Sequence, residues 1–265
     1  MNCNSVLKGS LAKPVVGVVG GGQLAQMLVE AARSRDVDII VQTPSIDDPA
    51  APKANRIILA ETKDPSGTSE LVRDCFSITF ENEWVNIDEL LLLETKGARF
   101  IPPLAALEPL VDKISQRKLL DQLSIPGPDW VEVDFAELDD LKLPDGWDFP
   151  VMAKSGRGGY DGKGTKTIEN SVQLTQFFKF VDTKEWLIEK WVDYQTELAL
   201  VASRDSNGQI RTFPLVETNQ TKQVCDWVLA PADITHSVEA MAYNIAASLL
   251  TELKYVGVIA IEFFY

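Results

Sequence analysis

Histidine is almost absent from this chain, because His236 is the only one among its 265 residues. Catalytic triads that depend on a histidine base would all have to use that residue, and a zinc site of the His-Glu-x-x-His type is excluded. His236 precedes a helical pattern and is interpreted as a loop residue. An enzyme built from this sequence must therefore work with carboxylates, lysines and hard metal ions.

Cysteines and long apolar runs are also scarce. The three cysteines, Cys3, Cys75 and Cys225, are far apart, and no Cys-x-x-Cys pair occurs. The sequence therefore predicts neither a disulfide framework nor a zinc site, and it favours a cytoplasmic location. No run of about 18 apolar residues is present, so no membrane-spanning helix is predicted.

Positive charge is in short supply, with 25 Lys and Arg against 39 Asp and Glu and a net charge of −14. Binding to DNA, RNA or an anionic membrane depends on Lys and Arg that neutralise phosphates. The composition therefore predicts neither a nucleic-acid partner nor a membrane partner. A small phosphorylated ligand needs only a few local cations and is not excluded.

The order of apolar runs predicts two domains of different architecture. Over residues 1–110, buried strands alternate with helical patterns, which is typical of a parallel α/β sheet. A helix is predicted at 112–123. From residue 130 the pattern is richer in strands, with helices predicted at 171–181 and 239–253 and strands at 151–154, 186–189, 197–202, 211–216 and 256–264. The predicted fold class is α/β, with a Rossmann-like domain over 1–110 and an α+β domain over 111–265.

The most informative segment runs from Lys154 to Thr165. It holds five glycines within nine residues, together with Lys154, Arg157 and Lys163, and it follows an apolar run that predicts a buried strand. Glycine lets backbone N–H groups turn toward an anion, and nearby cations add to that attraction. A phosphate-binding loop is the favoured interpretation, and a flexible hairpin turn is the alternative.

A second glycine turn, Gly20–Gly22, lies between a predicted strand and a predicted helix and has the G-x-G-x-x-A spacing. A dinucleotide site also needs an acid at the end of the second strand, where Gln42 and Thr43 stand instead. NAD binding is therefore disfavoured, while a mononucleotide phosphate and simple strand–helix packing both stay open. Glu81 follows a later strand and is either a ligand for an amine or ribose or a solvated loop acid.

Four charged residues are further candidates for a nucleotide site. Lys113 opens a helix, where its charge opposes the helix dipole and suggests a ligand anion. Glu189 and Glu197 flank a linker that can offer backbone groups to a base and a carboxylate to ribose. Glu262 is the only acid in an apolar strand, so it needs a partner, either Mg²⁺ with nucleotide phosphates or a buried Lys or Arg.

Together these motifs resemble the 5-(carboxyamino)imidazole ribonucleotide synthase family, ATP-grasp ligases of purine biosynthesis. The resemblance rests on Gly-Gly-Gly-Gln-Leu, Asp48-Pro-Ala-Ala-Pro52, Thr79-Phe-Glu-Asn-Glu83, Lys154 with Gly159-Tyr-Asp-Gly-Lys-Gly164, Glu189, Glu197 and Tyr255–Phe264, which occur in the family's order. It implies a Rossmann-like pre-ATP-grasp domain followed by an ATP-grasp domain, with a lid over about residues 125–190. Thr165 and Gln220 depart from the residues that the family usually carries.

The resemblance also implies roles for single residues, with ATP and Mg²⁺ as cofactors. Lys154, Tyr160 and Asp161 would be catalytic, and Glu262 would bind the metal. Gln23, Glu81 and Tyr160 would lie near aminoimidazole ribonucleotide. The nucleotide would contact Lys113, Lys154, Gly159, Gly162, Lys163, Gly164, Glu189, Lys190, Val192, Glu197 and Gln220.

The implied reaction is ATP-dependent carboxylation of aminoimidazole ribonucleotide with bicarbonate, by way of carboxyphosphate. A homodimer and coupling to the mutase of the pathway are implied as well. The family continues past Glu262 to a second metal-binding Glu, so the chain is expected to be a C-terminally truncated fragment that is inactive or nearly so alone. The alternatives are another ATP-grasp carboxylate–amine ligase and a nucleotide-binding module without catalysis.

Overall fold

The computed structural model describes residues 13–136, 141–157, 164–181, 185–221 and 224–265. The chain divides into two compact units, Met1–Leu104 and Ala105–Tyr265. No helix within the described ranges is long and apolar enough to cross a membrane. The predicted α/β class is confirmed, with a parallel sheet in the first unit and antiparallel sheets in the second.

The first unit is built on a parallel sheet in the order β3–β2–β1–β4. Its strands are β1 (Val15–Val19), β2 (Asp38–Thr43), β3 (Arg56–Leu59) and β4 (Ser77–Phe80), and its helices are α1 (Gln23–Arg33), α2 (Pro65–Asp74) and α3 (Ile87–Glu94). β1 and β2 are rich in Val and Ile because both are covered in the sheet interior. Beyond β4, Phe100 forms a single parallel bridge with Ile78.

Helix α1 packs on the sheet through its small side chains rather than its large ones. Ala25, Val29 and Ala32 are buried against β1 and β2, whereas Leu24 and Met27 are more than 60% exposed. The small residues allow the helix to approach the sheet closely. The apolar spacing thus predicted the helix correctly, although the large apolar residues face away from the core.

The second unit begins with α4 (Leu104–Leu107), a short 3₁₀ turn and α5 (Lys113–Gln122). An antiparallel sheet in the order β5–β8–β6–β7 follows, made of β5 (Trp130–Glu132), β6 (Val151–Ser155), β7 (Thr165–Ile168) and β8 (Trp186–Lys190). Helix α6 (Ser171–Lys179) covers one face of this sheet, where Leu174 and Phe178 pack on Ala153 and Ile188. The opposite face carries Lys154 and Glu189.

The other sheet of the second unit is centred on β9 (Glu197–Arg204). β13 (Gly257–Phe264) pairs along one edge of β9, while β10 (Ile210–Thr212) and β11 (Val216–Thr221) pair along the other, and β12 (Val224–Leu229) extends β11. Helix α7 (His236–Glu252) covers one face of this sheet, where it packs on Leu198, Leu200 and Ala202. Because side chains alternate along a strand, Glu197, Ala199 and Val201 lie on the face that α7 does not cover.

Two expectations about this part of the chain need correction. The strand predicted at 211–216 is divided between β10 and β11, since residues 213–215 belong to neither. The strand predicted at 256–264 is present as β13, and its residues alternate between half-buried and exposed because only one face packs on the core. His236, expected in a loop, is the first residue of α7 and is fully exposed.

Candidate functional site

The glycine turn of the first unit holds the carboxylate of Glu81. The Oε2 atom of Glu81 accepts a hydrogen bond of 2.7 Å from the Gly22 N–H, and its Oε1 atom lies 3.4 Å from the Ala25 N–H. Gly20 has a φ of +113°, and a Cβ on it would lie 2.6 Å from the Cβ of Glu81. The carboxylate therefore caps the N-terminus of α1, where it would repel the mononucleotide phosphate that the glycine spacing left open.

Gln23 and Glu81 come from neighbouring strand ends of the first unit. β1 and β4 pair directly, with Val19 opposite Phe80, so the residues that follow them share the carboxyl edge of the sheet. Gln23 is the exposed first residue of α1, next to the Gly22 N–H that binds Glu81. The structure thus brings both predicted substrate residues to one edge of one sheet.

In the second unit, a buried carboxylate joins two cations. Glu189 is 3% exposed, and its Oε2 atom lies 2.6 Å from the Nζ atom of Lys154. Its Oε1 atom lies 2.5 Å from Nη2 and 2.6 Å from Nε of Arg117. Two positive charges and one negative charge leave this cluster with a surplus of one positive charge, which suits a bound anion.

The local fold explains why these three side chains meet. Met152 pairs with Glu189 between β6 and β8, and Lys154 is two residues further along β6, so Lys154 and Glu189 lie on one face of the sheet. Helix α5 contributes Arg117 on this face. Arg117 follows Lys113 by one helical turn, a spacing that places both on one side of α5.

The base of the glycine run is fixed by backbone hydrogen bonds. The Ser155 N–H donates to the Gly164 carbonyl at 2.8 Å, the Gly156 N–H donates to the Glu185 carbonyl at 2.7 Å, and the Lys113 N–H donates to the Gly156 carbonyl at 2.8 Å. Lys113 therefore begins α5 directly beside the first glycine of the run. A Cβ on Gly156 would lie 2.8 Å from Asp112 Oδ2, so this close approach favours glycine.

The middle of the glycine run lies outside the described residues. This range includes five of the predicted nucleotide, substrate and catalytic residues, namely Gly159, Tyr160, Asp161, Gly162 and Lys163. Gly164, which ends the run, has a φ of +79°, a conformation that glycine adopts without strain.

The linker between β8 and β9 connects the buried cluster to Glu197. The Lys190 N–H donates to the Asp129 carbonyl at 2.8 Å, so this amide is already used. Val192 is half-buried, and the Trp191 indole N–H donates to Asp193. The Tyr194 hydroxyl donates to Glu197 Oε1 at 2.7 Å. The structure therefore places Glu189 and Glu197 at the two ends of one short linker.

Glu197 and Glu262 share the uncovered face of the β9 sheet. Phe264 pairs with Glu197, and Glu262 pairs with Ala199, so the two carboxylates are diagonal neighbours. Gln220 is half-buried on β11, beyond the point where Thr218 pairs with Glu197. Glu262 lies on the exposed face of β13, so burial alone does not require a partner for its carboxylate.

The described residues contain no group of three or more His, Cys, Asp or Glu side chains that could hold a metal ion. Glu262 nevertheless presents a carboxylate oxygen on an open face beside Glu197. Mg²⁺ is commonly held by one or two carboxylates together with substrate phosphates and water. The donor chemistry of Glu262 therefore fits Mg²⁺ that arrives with a nucleotide.

Comparison with known domain families agrees with this geometry. Residues 118–265 match the ATP-grasp domain, and residues 14–110 match the ribonucleotide synthetase preATP-grasp domain. The chain belongs to the ATP-grasp family. The resemblance inferred from the motifs is confirmed by curated ATP-grasp relatives that carry the name N5-carboxyaminoimidazole ribonucleotide synthase.

Two of these relatives come from cyanobacteria. The protein from Synechocystis sp. is 42% identical over 94% of this chain and 62% of its own length. The protein from Synechococcus elongatus is 41% identical over 94% of this chain and 63% of its own length. This chain thus spans about three fifths of the length of the curated relatives that it matches.

Solved structures of N5-carboxyaminoimidazole synthetases share the fold. The crystal structure of N5-carboxyaminoimidazole synthetase from Staphylococcus aureus complexed with ADP has a TM-score of 0.86 and 28% identity, over 95% of this chain and 66% of that chain. The synthetase from Thermotoga maritima has a TM-score of 0.80 and 29% identity, over 95% of this chain and 64% of that chain.

Sequence reasoning missed two residues of the second unit that contact predicted site residues. Arg117 binds Glu189, and Tyr194 binds Glu197. Arg117 could have been noticed, because it lies four residues after Lys113 on a predicted helix. Tyr194 gave no such signal, since an aromatic residue in a short linker has no periodic pattern.

Proposed function

We propose that this protein binds ATP with Mg²⁺ and carboxylates 5-aminoimidazole ribonucleotide with bicarbonate, giving N5-carboxyaminoimidazole ribonucleotide, ADP and phosphate. The observation that carries the proposal is the buried cluster of Lys154, Glu189 and Arg117 at the start of the glycine run. Its surplus positive charge suits a nucleotide phosphate. The names of the curated relatives supply the identity of the amine substrate.

Lys154 and the glycine run would hold the ATP phosphates. Lys154 can leave Glu189 for a phosphate oxygen without leaving that carboxylate unpaired, because Arg117 also binds it. Lys113 begins α5 beside Gly156 and would add a second cation. Residues 159–165 would close over the phosphates as a lid, within a lid subdomain over about 125–190, and would exclude water from the carboxyphosphate.

The linker after Glu189 would bind the adenosine part of ATP. Backbone groups of Lys190 and Val192 would contact the adenine, while Glu197 would accept hydrogen bonds from the ribose hydroxyls and Gln220 would lie near the nucleotide. Glu262 would hold Mg²⁺ together with the phosphates. When bound, Mg²⁺ neutralises charge that develops on the phosphoryl oxygens.

The chemistry would proceed in two steps. A bicarbonate oxygen attacks the γ-phosphorus, the bond to ADP breaks, and carboxyphosphate forms. The substrate amine then attacks the carboxyl carbon, phosphate leaves, and the amine loses a proton. Lys154 would stabilise the phosphoryl charge, and Tyr160 and Asp161 would serve the second step. Gln23, Glu81 and Tyr160 would position the amine substrate.

Several wider features stay predictions. We propose two domains over 1–110 and 111–265, a homodimer in the complete protein, coupling to the mutase of the pathway and a cytoplasmic location. The crystal structure of the Staphylococcus aureus synthetase with ADP supports the nucleotide part of the proposal. The 265-residue chain is expected to bind the nucleotide.

Lys154→Ala tests the proposal, with Lys118→Ala as the matched control. Lys118 is an exposed lysine on α5 that pairs with Glu132. Titration calorimetry with Mg-ADP should show binding weakened at least about tenfold by Lys154→Ala, because a charge-assisted phosphate contact is lost, and unchanged binding for Lys118→Ala. Circular dichroism checks that both variants are folded.

Carboxylation is tested separately, as bicarbonate-dependent ADP release with aminoimidazole ribonucleotide, on this chain and on the longest form of the protein that can be expressed. ADP release that depends on a different amine would indicate another ATP-grasp ligase. Equal ADP affinity of the parent chain and Lys154→Ala would overturn the proposed phosphate site.

A further inference from the structure

The linker between β8 and β9 holds an aromatic residue in contact with the predicted ribose ligand. The Tyr194 hydroxyl donates a 2.7 Å hydrogen bond to Glu197 Oε1. The Tyr194 ring stacks on Phe264, with 4.6 Å between ring centroids and 20° between ring planes. Phe264 pairs with Glu197 across β13 and β9, so both contacts of Tyr194 converge on one position in the sheet.

The backbone around Tyr194 is held in place even though the ring is 46% exposed. The Gln195 and Thr196 N–H groups donate to the Tyr265 carbonyl at 2.6 and 3.0 Å, and the Tyr265 N–H donates to the Thr196 carbonyl at 3.0 Å. These bonds tie the end of the linker to the end of β13. The ring is therefore held by stacking on Phe264 and by the hydrogen bond from its hydroxyl to Glu197.

The contact with Tyr194 matters because of where Glu197 lies in the sheet. Glu197 is the first residue of β9, at the edge of an uncovered face, where a glutamate side chain has several rotamers available. A hydrogen bond to Oε1 restricts that freedom and leaves the Oε2 atom without a hydrogen-bond partner among the described residues. Such restriction before binding improves affinity because less conformational entropy is lost when a ligand binds.

From this geometry we infer that Tyr194 is a positioning residue, which holds the Glu197 carboxylate so that Oε2 faces the hydroxyls of a nucleotide ribose. The inference rests on the proposed nucleotide site and adds to it a residue that would not touch the nucleotide itself. Tyr194 would act through Glu197 alone.

The protonation of Tyr194 agrees with this role. The hydrogen bond to Glu197, followed by burial and by the charge of Glu197, raises the pKa of Tyr194 above its ordinary value. The hydroxyl therefore remains a donor at neutral and mildly alkaline pH.

Tyr194→Phe is the decisive substitution, because it keeps the ring that stacks on Phe264 and removes only the donor. Tyr243→Phe is the matched control, since the Tyr243 hydroxyl donates to Glu239 at the same 2.7 Å, on α7. Calorimetric titration compares Mg-ADP with Mg-2′,3′-dideoxy-ADP, which lacks the hydroxyls that Glu197 would bind. Tyr194→Phe is expected to weaken ADP binding about 5- to 10-fold and to leave dideoxy-ADP binding unchanged.

Tyr243→Phe should change neither affinity. In a Glu197→Gln background, the further change Tyr194→Phe should have no more than about a twofold effect, because the carboxylate that it positions is gone. An equal loss of affinity for both nucleotides would mean that Tyr194 only supports the fold, and unchanged ADP affinity would also overturn the inference.

The failure of this inference differs from the failure of the proposed function. If Lys154→Ala and Glu197→Gln weaken ADP binding while Tyr194→Phe does not, only the role of Tyr194 is lost. If the parent chain does not bind ADP, the nucleotide site and the role of Tyr194 are both overturned.

Discussion

At the residue scale, the balance of charge around Glu189 governs both stability and the proposed chemistry. Glu189 is buried, and the side chains of Lys154 and Arg117 that bind it are only about one fifth exposed. Burial of a charge is costly unless an opposite charge and hydrogen bonds accompany it. The carboxylate thus allows two cations to stand side by side below the glycine run.

Glu189→Gln should destabilise the chain by about 3 kcal/mol, because two buried cations lose their shared counter-charge. Urea denaturation measures the change. Glu132→Gln is the control, since the Lys118–Glu132 pair is more than half exposed and its loss should cost at most about 0.5 kcal/mol. Equal stabilities of the two variants would contradict the charge balance described here.

The thiols provide a second test at the same scale. Cys75 is half-buried, and burial, followed by the charge of Asp74, raises its pKa to about 11. Because the thiolate is the reactive form, Cys75 should react about 100-fold more slowly than an ordinary thiol at pH 8. The rate of reaction with a thiol-specific colour reagent is measured for a variant that keeps only Cys75 and for one that keeps only the exposed Cys225. Similar rates in the folded state would show that Cys75 is more accessible than the structure indicates.

At the scale of elements, the start of α1 depends on a residue from another strand. Gly22 at the N-cap has no side chain to bind the first amides of the helix, and Glu81, which follows β4, supplies the acceptor instead. The negative charge of Glu81 also opposes the positive end of the helix dipole. The turn between β1 and α1 and the end of β4 are therefore stabilised together.

Glu81→Ala should weaken the first turn of α1 by about 1 kcal/mol, since two amides lose their acceptor. Hydrogen exchange followed by mass spectrometry should report about fivefold faster exchange in peptides from the start of α1. Glu83→Ala, at an exposed position two residues later, is the control and should leave the exchange of α1 unchanged. Unchanged exchange in Glu81→Ala would contradict the capping role.

At the scale of the whole molecule, each unit has its own buried cores. One core lies between α1 and the parallel sheet, another between α6 and the β6 sheet, and another between α7 and the β9 sheet. Tyr255 belongs to the last of these, and its hydroxyl donates to the Val258 carbonyl at 3.2 Å. Burial alone raises the pKa of Tyr255 to about 12.

The stability of the second unit should therefore fall at alkaline pH. In the unfolded state Tyr255 ionises near pH 10 and in the folded state near pH 12, so the unfolded state loses its proton first as the pH rises. The contribution of the protonated Tyr255 to the free energy of unfolding is fully present below pH 10. It is lost by about pH 12, where the loss amounts to about 2–3 kcal/mol. Urea denaturation between pH 9 and 12 measures the slope, which should be smaller in Tyr255→Phe. Tyr265→Phe, at an exposed position, is the control.

Much of the fold could be predicted because local patterns report local structure. The Val and Ile runs of β1 and β2 predicted buried parallel strands, and the helix predicted at 112–123 is present as α5. The division of the stretch predicted at 211–216 into β10 and β11, and the exposure of one face of β13, could not be read in the same way. A run of apolar residues does not tell whether a second layer covers the strand, and β13 is covered on one face only.

The candidate site was predicted in part, for a related reason. Part of the site could be predicted from single charged residues, because a charge in an apolar strand needs a partner. These residues are Lys154, Glu189, Glu197 and Glu262. Their partners Arg117 and Tyr194 lie 72 and 3 residues from the carboxylates that they bind. Neither partnership has a sequence pattern, because a helix and a linker bring these side chains together only in the folded chain.

The sequence by itself thus determined the element types, the α/β class and the resemblance to ATP-grasp ligases, since strand runs, glycine turns and motif order are local properties of the chain. Only the tertiary structure decided that Glu81 fills the turn at α1, that Arg117 shares Glu189 with Lys154, and that Glu262 is exposed on the same face as Glu197. The physical reason is that a side chain's charge state and freedom depend on what packs around it, and those neighbours come from distant parts of the chain.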